Sequence, residues 1–191
     1  MSWKPILVLP ALLLLARESA AGPPGSVPAP RGWFPAGSRP QDYAMGIDRH
    51  RLRDGKATGY IKSLDEDAPG FGTFMHKIDA APYRGKRVRL RAEIETEGLS
   101  RQAGLWMRVD GPTRPLAFDN MDNRPITGSQ QWAHYACVLD VPSAATHIAF
   151  GVRLGGRGRV YFGPVTLEVV DESVPVTDLL PSIPPERYRA R

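Results

Sequence analysis

The sequence predicts an all-β protein, an antiparallel two-sheet β-sandwich, over residues 32–173. Three observations predict it. From Ala103 to Val170 the chain divides into short alternating segments: AGLWMRVDG, LAFDNM, QWAHYACVLDVP, HIAFGVRLGG and RVYFGPVTLEVV. Turn residues space them evenly and no helical period intervenes. Upstream, Val88, Leu90, Ala92 and Ile94 alternate with Arg87, Arg89, Arg91, Glu93 and Glu95. That is one buried and one wet face, as in an antiparallel sheet. Finally, Cys137 is the only cysteine, so no intrachain disulfide forms and stability rests on a full apolar core. A module of about 140 residues is large enough to build one.

In chain order, residues 1–21 (MSWKPILVLPALLLLARESAA) are predicted to be a signal peptide. Lys4 precedes an apolar run from Pro5 to Leu15, and Ser19-Ala20-Ala21 offer the small residues of a cleavage site. The run is too short to cross a bilayer, and no later run is long enough, so no membrane span is expected. Cleavage after Ala21 predicts a periplasmic or secreted protein. It removes two cations and one anion, which takes the net charge from +5 to +4. So mild a basic excess gives no reason to expect a nucleic-acid partner.

Residues 22–31 form a Pro- and Gly-rich flexible linker, after which Trp33 and Phe34 are expected to dock on the domain edge. About nine strands follow. Tyr43–His50 and Thr58–Ser63 flank an Asp54-Gly55 turn. Phe71–Ile78 and Arg87–Glu97 come next, then the five segments already quoted. Leu105, Met107 and Val109 point inward, which sends Trp106, Arg108 and Asp110 outward. Ile148, Phe150, Val152 and Leu154 are core, and opposite them Ala149 and Gly151 leave a bare outer patch. Gly163-Pro164 switches the inward parity, which predicts a bulge or bend. Residues 174–191 read as a Pro-rich basic tail, disordered or loosely docked.

The runs GWFPAGSRPQDYAMGID, YRGKRVRLRAEIET, AGLWMRVDGP, LAFDNMDNRPITGSQQWAHY and LDVPSAATHIAFGVRLGGRGRVYF resemble a bacterial jelly-roll module. It is of the carbohydrate-binding, galactose-binding-domain-like kind. Similar modules occur alone or fused to AraC-type transcription regulators and secreted hydrolases. The resemblance implies a jelly-roll sandwich that binds a glycan. In many such modules the last strand reads G-x-V-x-(aliphatic)-D-(D/N)-V, with the Asp serving a structural calcium. Gly163-Pro164 stand there instead, which argues against that calcium, and no other cofactor is expected.

Trp106, Arg108, Asp110, Asp119 and Asn120 are the candidate ligand-binding set. Sugars need an apolar platform for their C–H faces and planar polar groups for their hydroxyl pairs. Trp106, Arg108 and Asp110 share one strand face, and Asp119 and Asn120 reach the same side from its neighbour. Lys62 and Arg153 are flanking candidates. The bland alternative is a Trp covering the sheet beside an Arg–Asp pair, with Asp119 and Asn120 as turn residues. Asp65-Glu66-Asp67 is a weak calcium candidate, and the four histidines fall on separate strands without metal spacing. No G-x-S-x-G, H-E-x-x-H or P-loop motif is present, so the chain is not expected to be an enzyme. A glycosidase would need two carboxylates facing across a cleft, for which Asp110 and Asp119 are the pair to test. A third reading is a protein-docking module using Trp33 and Phe34. Cys137 reads as a small buried core thiol.

Overall fold

The computed structural model describes Pro30–Leu180 and the backbone of Ser26–Val27. The expected signal peptide, most of the linker and the RYRAR end lie outside the described residues. Among the described residues eleven strands form one antiparallel system that folds over itself into two layers. They are β1 (Ser26–Val27), β2 (Trp33–Gly37), β3 (Tyr43–Arg53), β4 (Lys56–Ser63), β5 (Phe71–Asp79) and β6 (Lys86–Asp110). There follow β7 (Pro115–Asp119), β8 (Ile126–Val141), β9 (His147–Gly155), β10 (Arg159–Phe162) and β11 (Thr166–Val170).

The strand β6 organises the molecule. Its first half pairs with β10 and β11 on one side and β8 on the other. Its second half pairs with β9 on one side and with β7 and the start of β8 on the other. One layer is therefore β1-β3-β4-β10-β6-β8, and the other is β2-β5-β9-β6-β7. The two β6 segments expected as separate strands are one, bent where the register with β8 slips between Thr96 and Gln102. Gly98 sits in that bend at φ +58°, a left-handed conformation that a side chain disfavours.

The alternation read from the sequence sets the layers. Val88, Leu90 and Ile94 from one half of β6 meet Leu105, Met107 and Val109 from the other, all fully buried. Ile61, Phe74, Ile148, Val152, Leu154 and Val160 complete the core. Each such side chain contributes about 1.5–3 kcal/mol of burial. Gly163-Pro164 interrupts the last strand as expected. The two segments it separates, β10 and β11, lie along the same side of β6.

Trp33 does more than touch the edge. β2 pairs with β5, and the Trp33 indole enters the core 5.4 Å from Phe74 and 6.0 Å from Phe150. Phe34, on the other face of the same strand, stays exposed. The C-terminal segment is also more ordered than the sequence suggested. Thr177 and Leu179 donate backbone hydrogen bonds to the carbonyls of Val138 and Phe118, so the chain is docked through Leu180.

Candidate functional site

The outer face of the β5-β9-β6 layer carries an open depression of about 410 Å³. Phe71, Met75, Trp106 and Phe118 provide its apolar surface, and Arg108, Arg153 and Asn120 its polar groups. β5 contributes Phe71 and Met75 because they alternate with the inward Gly72 and Phe74. β6 contributes Trp106 and Arg108, and β9 contributes Arg153.

Trp106 lies on the outer face, as its parity required, but it is only 9% exposed. It pairs across the ladder with Gly151 of β9. Its Nε1 donates 2.7 Å to Thr73 Oγ1 on β5, one strand further. The indole thus crosses β9 beside Gly151, which has no side chain, toward Thr73. The expected bare patch is not open, since Gly151 and Ala149 are both buried and Met75 closes over Gly151. Trp106 is the floor of the depression and not the exposed platform that the sequence suggested. The more exposed ring is Phe71, at 38%.

Arg108 and Asp110 pair with each other along β6, Nε to Oδ1 at 2.7 Å and Nη2 to Oδ2 at 3.1 Å. Asn120 lines the depression, with its side-chain amide donating 2.7 Å to Asp122 Oδ2. Arg153 also pairs with Asp122. Its Nε is buried and has no hydrogen-bond partner, which is costly for a guanidinium donor.

Asp119 does not join this set. It shares the inward parity of Ala117 and is fully buried. Arg124 donates to both of its oxygens, at 3.1 and 2.5 Å. The Met121 N–H (2.8 Å) and Thr177 hydroxyl (2.5 Å) complete its shell. Its acceptors are spent on fastening the turn after β7 and the C-terminal segment. It therefore has no face to offer a sugar, nor an open carboxyl to oppose Asp110 as a glycosidase pair requires. Lys62 is displaced too: it stands on β4, in the other layer.

Cys137 is fully buried, as the sequence suggested. Burial first, then the Asp119 charge, push its thiol well above the ordinary value, which disfavours the nucleophilic thiolate. Glu66 of the acidic run pairs at 3.3 Å with Arg157. Among the described residues no three His, Cys, Asp or Glu side chains gather as a metal would need. Gly163-Pro164, between β10 and β11, supplies no side-chain oxygen.

A larger hollow of about 740 Å³ opens at the margin of the other layer, beside Tyr43, Tyr60, Lys62 and Tyr161. Asp48, which lines it, pairs with Ser26 of β1. Only its Asp48 wall adjoins β1, whereas the depression over Trp106 opens on an outer sheet face that no other described strand covers. The sequence reading passed over Phe71, Met75 and Phe118. The available signal was a pair of large apolar residues, Phe71 and Met75, on the wet parity of β5.

No family model matches the chain. An uncharacterized HTH-type transcriptional regulator of Bacillus subtilis (strain 168), YbfP, is 50% identical over 151 residues, 78% of this chain. The chain spans about half of that relative, 51%. Among solved structures, a xylan-binding domain from CBM 22 superposes with a TM-score of 0.51 at 14% identity, over 73% of this chain and 87% of its own. The fold is the jelly roll of carbohydrate-binding modules. The enzymatically active domain of bacteriophage CBA120 tailspike protein 4 shares it, with a TM-score of 0.57 at 12% identity. That match covers 73% of this chain and 20% of the tailspike chain. The jelly roll and its association with regulators agree with the resemblance read from the sequence.

Proposed function

We propose that this chain is a non-catalytic carbohydrate-binding module that holds a glycan or related polyhydroxyl ligand over Trp106. One observation carries the reading: a free sheet face combines an apolar surface with planar polar groups. Phe71, Met75, Trp106 and Phe118 suit sugar C–H faces, while Arg108, Arg153 and Asn120 suit hydroxyl pairs. The xylan-binding domain with this fold adds support. Titration of the folded protein against a panel of plant and bacterial oligosaccharides tests the reading. Binding is expected, and Phe71→Ala should abolish it while shifting stability by no more than about 0.5 kcal/mol, because the ring is partly exposed. A folded protein that binds none of the panel would favour the competing reading, a protein-docking face built around exposed Phe34 and Phe71. We also propose export, tested by sequencing the N-terminus of protein recovered from cell fractions. A chain starting at Gly22 outside the cytoplasm is expected.

A further inference from the structure

Resting on the glycan-binding reading of the same face, we propose that the preferred ligand is an acidic glycan, one whose sugars carry carboxylates. The depression over Trp106 adjoins a second one of about 200 Å³, and the two share Phe71 and Arg153 as walls. Together they form a trough lined by three guanidiniums, Arg108, Arg153 and Arg101. Among the described residues no carboxylate lines either part. The other polar side chains there, Ser38, Thr73, Gln102 and Asn120, are neutral.

Two acids stand beside the trough, and each is already engaged. Asp110 is held by Arg108, and Asp122 by Arg153, Gln102 and Asn120. Neither arginine is exhausted by its partner. Among the described residues Arg153 and Arg108 each keep an unused Nη1, while the unpartnered Arg153 Nε is buried beneath the trough surface. Arg101 has no carboxylate partner among the described residues and donates only to the Pro69 carbonyl, at 3.2 Å. Beyond the trough, the same face carries Lys77 in the ladder row of Ala149 and Arg108 and Asp79 in that of His147 and Asp110.

A neutral sugar offers these groups hydroxyls. A uronate offers a planar anion that matches the guanidinium fork, and charge-assisted bonds of this kind are about twice as strong as neutral ones. The floor does not oppose this, because a uronate ring keeps the C–H faces of its neutral counterpart. Charge selection therefore falls to the arginines, and general sugar affinity to the apolar floor.

The experiment is calorimetric titration of the folded chain with matched probes. They are oligogalacturonate and oligomannuronate, the fully methyl-esterified form of each, and xylohexaose as an uncharged glycan. At low salt at least one free acid is expected to bind about tenfold more tightly than its ester. That ratio should fall below about threefold in about 0.5 M salt, where exposed charges are screened. It should fall similarly in Arg101→Gln, whose side chain is exposed and holds a single carbonyl, and in Arg153→Gln if its melting point is unchanged. Equal binding of acid and ester, or binding of xylohexaose alone, would overturn the acidic preference and leave the glycan reading standing. No binding of any probe would overturn both.

Discussion

The two outer sheet faces carry the same polar alternation and end in opposite states. On the β4-β10-β6 face the charges are consumed by one another. Arg53 pairs with Glu93 at 2.6 Å, Arg51 with Glu95 at 2.5 Å, Arg89 with Glu168 at 2.9 Å and Arg87 with Asp140 at 2.7 Å. Its aromatic rings are capped as well, with the Arg51 guanidinium 3.8 Å above Tyr161 and that of Arg53 5.4 Å from Trp132. The basic stripe on β6 is thus a mixed, self-paired surface, as Glu93 and Glu95 implied. On the β5-β9-β6 face, Ala149, Gly151 and Gly104 replace long side chains, apolar rings line the depression, and Arg101 has no carboxylate partner among the described residues. A wet face becomes a candidate binding face when small residues let apolar rings line it beside cations, not because it carries more charge.

That contrast can be broken at several points. The largest effect is expected from Asp119→Ala, which leaves Arg124 without its carboxylate and the C-terminal segment without an anchor. A loss of about 3–5 kcal/mol in urea unfolding is expected, with early amide exchange at Thr177 and Leu179. Trp106→Ala comes next. It should cost about 3 kcal/mol, because the ring is a buried floor, and it should remove ligand binding too. Trp106→Phe keeps most of the packing but loses the bond to Thr73, for a cost of about 1 kcal/mol. If Trp106→Ala left the melting point unchanged, the floor assignment would fail.

The self-paired face should be far more tolerant. Arg89→Ala removes a half-exposed ion pair and should change stability by about 1 kcal/mol at most without touching ligand affinity. The smallest effect concerns pH. The Arg53 hydrogen bond holds the Glu93 carboxyl below the usual carboxylate range. Its contribution is full above the unfolded-chain pKa and is lost as pH falls through the lowered folded value. A carbon-detected NMR titration should place Glu93 below an exposed glutamate, and Arg53→Gln should return it to the ordinary range.

Much of this was legible in the residues, and the exceptions share a cause. Period-two alternation gave the inward and outward sets of β6 and β9, including the outward parity of Trp106, because a strand leaves a side chain only two directions. Gly163-Pro164 marked the break between the last two strands. Parity does not say what lies above an outward residue. Trp106 looked exposed because nothing in LWMRVDG reveals that Thr73, over thirty positions away, receives its N–H. Asp119 looked available because Arg124 and Thr177 converge on it only in the fold. Phe71 and Met75 were readable as outward on β5, yet only strand order places them beside Trp106. The bend at Gly98 that joins two expected strands into one was masked by the polar run ETEGLSRQ, which reads as a turn.

The shared strand also bears on how the molecule assembles. Because β6 belongs to both layers, neither layer can be completed without it. Its partners arrive late in the chain: Arg87 waits for Val170, and Ile94 for Phe162. Closing such long loops before contacts repay them slows folding, and β-sandwiches of this kind fold on the millisecond-to-second scale. A single strand common to both layers also leaves no seam along which one could melt ahead of the other. The two faces that differ so much in chemistry should therefore unfold together, in one transition.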